Sequence, residues 1–511
     1  MTIEALVRVG VAAAMILSTA IGAAAPDAGS SAKTFKPNII FILADDLGWT
    51  DAGVYGSRYY ETPNIDRLAA QGMRFTNFHT CQNCAPTRAA LMSGQYAPRT
   101  GIYNVGAGEG KSDWESRPLL PVNNSNKLPA DKITVAQALK TNGYLTGMFG
   151  KWHLGDDTKP EYHPAGRGFD EAIVTHGDHF DFDTIPKVEI PPGIYKSDWL
   201  TDRAEDFIRR HKDGPFFLYL PHQAVHSPIQ AKKEVIGKFE LKPPVGGHSN
   251  PTYAAMIQSL DESVGRISAL LDELKIADNT VLVFASDNGG VGGYDRADGL
   301  IRDQPFKEKR FKTEADDGKH ITDNTPLRSG KGSLYEGGTR APFIVRWPGK
   351  VNPDSVCDVP TIHVDLYPTL LDFAGAPAPD GYPLDGESLA PLLLGGSDSL
   401  KRDAIFQHFA SYLGAGPGQW RSTPVATVIS GDWKLMEFME DKHIELYNLR
   451  DDIGEHTDLA ATNPEKAEAL RNRLHAWQKG INAPVLQPNP DIKPPATANG
   501  KGRGRRSQST E

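Results

Sequence analysis

The sequence predicts an α/β protein. We expect a large domain with a mostly parallel, mixed sheet flanked by helices, and a small C-terminal domain with an antiparallel sheet and one helix. Four continuous apolar runs are typical of strands buried on both faces. Helical patterns separate these runs, and such alternation indicates a parallel sheet. From about Ala404 the runs become short and alternating, as in antiparallel sheets.

The four apolar runs are the candidate strands of the large sheet, and polar residues follow each of them. The runs are Asn38–Ala44, Tyr144–Phe149, Phe216–Leu220 and Thr280–Ala285. The polar residues that follow are, in the same order, Asp45–Asp46, Lys151–His153, His222–His226 and Asp287–Asn288. Because open α/β sheets bind ligands beyond the carboxyl ends of their strands, we expect one functional edge.

Helices are predicted between these strands from their start and stop signals. Asp66–Gln71 is followed by Gly72, Thr134 precedes a helical pattern over Val135–Lys140, and Tyr253–Leu274 repeats apolar residues at helical spacing. These helices would cover the faces of the large sheet.

The sequence from about Ala404 to Asn482 predicts a second, smaller domain. Its candidate strands are Ala404–Phe409, Val425–Ile429, Trp433–Phe438 and Ile444–Leu449, and a helix starting at Asn463-Pro464 would pack on them. We therefore expect domains at residues 36–400 and 401–482. Residues 483–511 are rich in Pro and Asn, end in a basic run and predict a disordered basic tail.

The N-terminus has the pattern of a secretory signal peptide over residues 1–25. An apolar stretch from Val9 to Ile21 follows Arg8 and closes on small residues before Pro26. The stretch is shorter than the roughly 20 residues that a membrane-spanning helix needs. The sequence thus predicts no membrane span and export to a periplasm or the medium.

Composition limits the classes of partner. The 511 residues include 55 Lys and Arg against 64 Asp and Glu, a formal net charge of −9. This charge argues against a nucleic-acid binder and leaves attraction of an anionic substrate to local basic groups.

Two pairs of residues with side-chain oxygens indicate a metal site. Asp45-Asp46 and Asp287-Asn288 offer only oxygen ligands, which hard cations prefer, so calcium is the predicted ion and magnesium the alternative. Either pair alone could equally cap a helix or form a turn. Two pairs at two strand ends favour metal binding.

Cys84 is the third candidate feature. With Cys81 it forms Cys-x-x-Cys, which can be a redox pair, a disulfide or half a zinc site. The chain has three cysteines and so lacks a second pair for zinc. Cys81 and Cys357 could pair or stay free. Pro86 suits the first turn of a helix that starts near Cys84, whose N-terminus would favour an anion.

Cys84-Ala85-Pro86-Thr87-Arg88, continuing through Ala89–Gly94, resembles the formylglycine signature of type I sulfatases. Thr87 stands where many members have serine, which leaves the Cys-x-Pro-x-Arg pattern intact. The resemblance implies an alkaline-phosphatase-like fold and sulfate-ester hydrolysis. It also implies that Cys84 is oxidised to formylglycine (3-oxoalanine) by a formylglycine-generating enzyme, and that its hydrate, beside the calcium ion, attacks the sulfate sulfur.

Further motifs match the family in order, from roughly Lys36 to Trp477. They are Gly150–Gly155, His226-Ser227-Pro228 and Leu327–Arg340. The resemblance implies that Arg88 holds the hydrate, and that Lys151 and Lys331 bind the sulfate oxygens. It implies that His153 takes a proton from the second hydroxyl, and that His226 contacts the sulfate and, with Lys331 as the alternative donor, helps to protonate the leaving oxygen.

The substrate is predicted to be a sulfated saccharide, with galactose or N-acetylgalactosamine as the sulfated unit. Segment 289–330 carries several basic residues, among them Arg302 and Arg310, and is attached at both ends to predicted site residues. It could contact an anionic saccharide or be a solvated charged loop. His176, Asp178 and His179 form a second polar loop that could line the sugar site.

Two other functions stay open at this point. Phosphonate monoester hydrolases and phosphodiesterases of the same superfamily also use formylglycine, and faster phosphate than sulfate release would indicate them. A saccharide-binding protein with a vestigial site would have lost a catalytic position, and every position is present.

Overall fold

The computed structural model describes residues 36–106, 117–292, 321–416 and 419–492 of the chain. The predicted signal peptide, Arg302 and Arg310, and residues 493–511 of the predicted tail lie outside the described residues. Within those ranges, no helix is both long and apolar enough to cross a membrane.

The described residues contain nineteen strands and eleven α-helices. The strands are β1 (Asn38–Ala44), β2 (Met73–Phe75), β3 (Phe78–His79), β4 (Leu119–Leu120), β5 (Leu145–Gly150), β6 (Glu171–His176), β7 (Asp183–Ile185), β8 (Phe216–Pro221), β9 (Thr280–Ser286), β10 (Phe343–Arg346), β11 (Ser355–Cys357), β12 (Thr361–Ile362), β13 (Ile405–Phe409), β14 (Leu413–Gly416), β15 (Gln419–Ser422), β16 (Val425–Ser430), β17 (Trp433–Phe438), β18 (Ile444–Asn448) and β19 (Gln487–Pro488). The helices are α1 (Pro63–Ala70), α2 (Cys84–Ser93), α3 (Ala97–Thr100), α4 (Val135–Thr141), α5 (Lys196–His211), α6 (Lys233–Glu240), α7 (Pro251–Glu273), α8 (Glu336–Thr339), α9 (Leu366–Ala374), α10 (Ala390–Leu393) and α11 (Pro464–Gly480).

A nine-stranded mixed sheet forms the centre of the protein, in the order β11-β2-β10-β9-β1-β8-β5-β6-β7. The four predicted strands are its adjacent members β9, β1, β8 and β5, and all three pairings among them are parallel. The pairings of β10 with β2 and β9, and of β6 with β7, are antiparallel. The predicted α/β fold with a mostly parallel, mixed sheet is confirmed.

Both faces of this sheet are buried at its centre, as the continuous apolar runs require. Along β1, Ile39 and Phe41 pack in one core, whereas Ile40 and Ile42 pack in the other. Helix α2 belongs to the first core and α7 to the second. Because side chains alternate across a strand, the apolar run of β1 covers both faces and holds it at the centre.

Gly150, at the end of β5, allows β5 and β8 to approach closely. Its φ is 133°, and a Cβ there would lie 2.0 Å from the Pro221 carbonyl oxygen. We expect Gly150→Ala to lower the free energy of unfolding by about 3 kcal/mol or more, because it combines backbone strain with a clash against the main chain.

Gly143 is the matched control, since its φ is 80° but a Cβ would meet no atom within 4 Å. Gly143→Ala should cost only about 1–2 kcal/mol, the strain of a left-handed residue. Thermal melting of both variants measures the difference. Equal melting temperatures would contradict the assigned role of the Pro221 contact.

The predicted C-terminal antiparallel sheet is present, with the order β13-β16-β17-β18. Helix α11 packs on it through Ala467, Leu470 and Leu474, whose neighbours include Val428 and Leu435. A separate hairpin, β14–β15, precedes β16. The fold class predicted for this region is confirmed, while the boundary at residue 400 stays a prediction.

The prediction of a disordered tail from residue 483 is wrong for its first ten residues. Strand β19 pairs antiparallel with β4, and Leu486 and Asn489 are buried. The Asn489 amide nitrogen Nδ2 donates a hydrogen bond to the Arg117 carbonyl oxygen, at 2.9 Å. Pairing with a distant strand therefore orders a segment whose composition is typical of disorder.

Candidate active site

The pairs Asp45-Asp46 and Asp287-Asn288 meet at the carboxyl ends of adjacent strands, as predicted. Asp45 and Asp46 follow β1, and Asp287 and Asn288 follow β9; all four are at most 2% exposed. The Asn288 Nδ2 donates to Asp46 Oδ1 at 2.8 Å, and the Asp46 backbone N–H donates to Asp287 Oδ1 at 3.2 Å. These bonds join the two pairs into one oxygen-rich surface, and we call these four residues the floor of the site.

Two oxygens of this floor, Asp45 Oδ1 and Asn288 Oδ1, are buried and have no hydrogen-bond partner. Buried polar atoms are normally satisfied, so unpartnered ones need an explanation. A hard cation satisfies such oxygens, and carboxylates with an amide oxygen are the donor set that calcium or magnesium takes. The residues present therefore fit a divalent ion.

Cys84 is the first residue of α2 and is directed at this floor. Its Sγ and one carboxylate oxygen each from Asp45 and Asp287 all lie within 4.8 Å of one another. Asn83 is the N-cap residue, and the Thr87 hydroxyl accepts from the Cys81 backbone N–H at 3.0 Å. A hydroxyl at position 87 thus fixes the turn that presents Cys84, and threonine supplies it.

Arg88, one turn after Cys84, connects α2 to the ends of β9 and β5. Its Nε and Nη2 donate to Asp287 Oδ2 at 2.9 and 2.8 Å, and its Nη1 donates to the Lys151 carbonyl oxygen at 2.8 Å. Arg88 and Asp287 are both fully buried, which makes this a charge-assisted bond shielded from solvent. Arg88, the predicted contact partner of the group at position 84, is therefore also fixed to the floor.

Three basic side chains, which together form the rim of the site, border the floor on its open side. Lys151 pairs with Asp45, the Lys331 Nζ donates to Asp46 Oδ2 at 2.7 Å, and His226 Nε2 lies 3.8 Å from Asp46 Oδ2. Their side chains are 14–28% exposed, whereas the Asp45 side chain is fully buried. An anion that enters would meet these groups before the carboxylates.

The charges of the floor and the rim stabilise each other. Burial opposes ionisation of Asp45, but Lys151, His226 and Arg88 outweigh it and hold its pKa below the ordinary value. Burial likewise opposes ionisation of Asp46, and Lys331 and His226 outweigh it. Burial works against the charge of Lys331 too, but Asp46 raises its pKa. Asp45 and Asp46 are therefore held ionised beside the ammonium groups of Lys151 and Lys331.

Burial works against a positive charge on the two predicted catalytic histidines. Burial, followed by the charge of Lys151, lowers the pKa of His153 to about 3 and that of His226 to about 4. His153 has a φ of 64°, and its Nδ1 is buried with no hydrogen-bond partner. Six predicted residues thus surround the floor: Cys84, Arg88, Lys151, His153, His226 and Lys331.

The predicted sugar-binding loop divides into exposed and buried parts. His176 is exposed, and its Nε2 lies 2.9 Å from Asp157 Oδ2. Asp178 is exposed and accepts from Gln230 Nε2 at 3.3 Å. His179 is completely buried, and its Nε2 bonds the His226 carbonyl oxygen at 2.7 Å. Contrary to the prediction, His179 is therefore not placed to touch a saccharide.

The cysteines are all free and buried, so Cys81 and Cys357 are not paired. The Cys81 Sγ lies 3.4 Å from His363 Nε2, and burial raises the pKa of its thiol to about 12. A redox role for Cys81-x-x-Cys84 is disfavoured, since reactive thiols have lowered pKa values.

Lys196 is a residue near the site that the sequence patterns did not single out. It begins α5, is 1% exposed, and its Nζ donates to the His176 and Gly177 carbonyl oxygens and to Gln223 Oε1. Burial lowers its pKa to about 7. A lysine at a helix start normally faces solvent, so no local signal could have identified it.

Comparisons with known families agree with this geometry. The sulfatase family model matches residues 37–376. The chain belongs to the sulfatase family. A second family model, N-sulphoglucosamine sulphohydrolase, C-terminal, matches residues 330–480. The predicted resemblance is confirmed, and the chain is a sulfuric ester hydrolase of the alkaline-phosphatase superfamily.

Individual sulfatases match over most of their length. A sulfatase of Formosa agariphila is 34% identical, over 88% of this chain and 90% of that protein. The N-acetylgalactosamine-6-sulfatase of Homo sapiens is 33% identical, over 75% and 73%. A crystal structure of Ps i-CgsB in complex with k-i-k-neocarrahexaose superposes with a TM-score of 0.70 at 30% identity, over 86% and 92%.

Proposed function

We propose that this sulfatase hydrolyses sulfate esters on saccharides, with a formylglycine made from Cys84 and a calcium ion. The observation that carries the proposal is the position of Cys84, at a helix N-terminus, beside Asp45 and Asp287 and below a basic rim. A nucleophile there would face a sulfate group whose oxygens are held by the rim.

Asp45, Asp46, Asp287 and Asn288 would hold the calcium ion, or magnesium as the alternative, with the group at position 84 beside it. When bound, the ion withdraws negative charge from sulfuryl oxygens and favours the ionised form of a nearby hydroxyl. A formylglycine hydrate at position 84 would supply that hydroxyl as the nucleophile.

The chain's own residues orient the sulfate and move protons. Arg88, fixed by Asp287 and the Lys151 carbonyl, supports the group at position 84, while Lys151 and Lys331 bind sulfate oxygens. His226 Nε2 lies 3.8 Å from Asp46 Oδ2, and in its protonated form it would donate a hydrogen bond to the leaving oxygen as charge develops there. His153, neutral and with an unpartnered Nδ1, is suited to accept the remaining hydroxyl proton.

A sulfated galactose or N-acetylgalactosamine unit is the proposed substrate. Among the similar proteins are N-acetylgalactosamine-6-sulfatases and a protein crystallised with neocarrahexaose, which supports a saccharide. His176 and Asp178 are exposed on a loop joined to the His226 loop, and we propose that they contact the sugar. Arg302 and Arg310 are proposed as further saccharide contacts.

Two proposals concern how the protein matures. Residues 1–25 would direct export to a periplasm or the medium, and a formylglycine-generating enzyme would convert Cys84. Mass spectrometry of the exported protein tests both, through the N-terminal residue of the mature chain and the mass of the peptide that contains position 84.

The deciding experiment is sulfate release, measured by ion chromatography, from 4-O- and 6-O-sulfated galactose and N-acetylgalactosamine saccharides. The protein would be co-expressed with a formylglycine-generating enzyme. Release from one regioisomer supports the proposal and identifies the position. If Cys84 is converted and none of these saccharides loses sulfate, the galacto-configured substrate is wrong. Faster hydrolysis of phosphonate esters or phosphodiesters would assign the site to that chemistry instead.

Removal of calcium should destabilise the protein as well as inactivate it. A chelator leaves buried carboxylates without their ion, and re-added calcium stabilises the folded state by about 2.7 kcal/mol at a hundredfold excess over its Kd. We expect the melting temperature to rise with calcium concentration and Asp46→Asn to weaken that response. Asp156→Asn, an exposed acid on the loop after Lys151, is the control. A melting temperature independent of calcium would argue against the metal site.

A further inference from the structure

We propose that His179 is a positioning residue that sets the location of His226, and that it binds no part of the saccharide itself. This inference rests on the proposed role of His226 at the leaving oxygen. It assigns a function in the reaction to a side chain that has no access to substrate.

The contact between the two histidines is direct. The His179 Nε2 bonds the His226 carbonyl oxygen at 2.7 Å. Because a carbonyl only accepts, this nitrogen carries the ring proton, and the buried Nδ1 is left without a hydrogen-bond partner. Burying an imidazole with one unsatisfied nitrogen is costly. In return for that cost, the His179 side chain makes its hydrogen bond to the His226 carbonyl oxygen.

The backbone of His226 determines where its ring points. Its N–H donates to the Gln223 carbonyl oxygen at 2.8 Å, and its Nδ1 donates to the Ser227 carbonyl oxygen at 2.6 Å. With Nδ1 engaged, Nε2 is the ring atom turned toward Asp46. A shift of the His226 carbonyl would therefore move Nε2 relative to the leaving oxygen.

His179 is itself held firmly by the elements around it. Its ring stacks on Tyr195 with a centroid distance of 5.8 Å and an interplanar angle of 22°. Its backbone N–H donates to Gln230 Oε1 at 3.1 Å, and its carbonyl oxygen accepts from the Lys196 N–H at 2.8 Å. Through its hydrogen bond, the His179 side chain therefore fixes the His226 carbonyl relative to these surrounding elements.

Lys196 joins the same two loops a second time. Its Nζ donates to the Gly177 carbonyl oxygen at 2.9 Å and to Gln223 Oε1, and the Gln223 Nε2 donates to the same Gly177 oxygen at 3.0 Å. These bonds join loop 176–179 to loop 222–230, which carries His226. A displacement of about 1 Å in a group that acts on the substrate can lower the reaction rate 10²-fold.

The test uses His179→Phe, which keeps the stacking and removes the donor, and His179→Gln, whose Nε2 can replace the donor. The two probes are 4-nitrophenyl sulfate, with a weakly basic leaving group, and 6-O-sulfated galactose, with a strongly basic one. We expect His179→Phe to lower kcat/KM for the sugar sulfate by about 10²-fold but to change it less than about 3-fold for the aryl sulfate, since a weakly basic leaving group needs little help. His179→Gln should restore most of the sugar activity.

Each alternative to this inference predicts a different experimental result. Equal losses on both substrates, or failure of His179→Gln to restore activity when its melting temperature matches the unmodified protein, would overturn the inference. If His179→Phe does not fold, Lys196→Met should show the same selective loss of sugar activity. His226→Phe serves as the reference variant. If it loses activity equally on the aryl sulfate and the sugar sulfate, the proposed role of His226 is wrong, but the assignment of the protein as a sulfatase is unaffected. Absence of any sulfate release by the unmodified protein would instead be a failure of the proposed function.

Discussion

Replacing Cys84 by alanine should abolish sulfate release, with a fall in kcat of about 10⁴-fold or more, the scale on which hydrolases lose rate with their nucleophile. Among the described residues, Cys84 is the cysteine that lies beside Asp45 and Asp287 at the start of α2. Alanine keeps the helix and removes only the group that would be oxidised. Ion chromatography of released sulfate measures the loss, and calcium-dependent melting shows whether the floor is intact.

Cys81→Ala is the matched control for this prediction. Cys81 is three residues upstream, buried, and in contact with His363 rather than with the floor. It should retain activity within about tenfold, because no reacting group touches it. Loss of activity in Cys81→Ala with near-normal activity in Cys84→Ala would show that the nucleophile has been misassigned.

Replacing Lys434 by methionine should cost about 3–5 kcal/mol of folding free energy, the loss seen when one partner of a buried ion pair is removed. The Lys434 Nζ lies 2.9 Å from Glu336 Oε1 and 2.8 Å from Glu455 Oε1, and all three side chains are fully buried. It also donates to the Leu334 carbonyl oxygen at 2.7 Å. The variant therefore leaves Glu455 without its ammonium partner, whereas Glu336 keeps its ion pair with Arg340.

This loss should depend on pH. Burial raises the pKa of Glu455 to about 7 even beside Lys434, and removal of the ammonium would raise it further. A carboxyl whose pKa is higher in the folded state favours folding below its unfolded pKa and loses that contribution as pH rises through the folded pKa. The deficit should thus be smaller at about pH 5 than at about pH 8.

Thermal melting at both pH values measures the effect, with Lys401→Met as the control because Lys401 is exposed. Since Lys434 is in β17 and bonds the segment that carries Lys331, sulfate release should fall as well. A melting temperature equal to that of the unmodified protein would show that the buried cluster contributes little to stability.

Local sequence patterns predicted the centre of the fold and the floor of the site. Runs such as Asn38–Ala44 cover both faces of a strand, and Asp45-Asp46 directly after the run places carboxylates at the sheet edge. They could not predict the order of residues 483–492, because the bonds of Asn489 are to a segment about 370 residues away. The burial of Lys196 and His179 likewise depends on loops that meet only in the folded chain.

The burial of Cys84 has a consequence for the timing of biosynthesis. Cys84 is 2% exposed in the folded protein, so the proposed formylglycine-generating enzyme would have to reach it before the fold closes. Closure requires Asp287, the partner of Arg88, which is made about 200 residues after Cys84. At roughly 5–20 residues per second, synthesis of that stretch takes about 10–40 s. Because the central sheet is assembled from strands far apart along the chain, the proposed oxidation of Cys84 would have an interval of its own during translation.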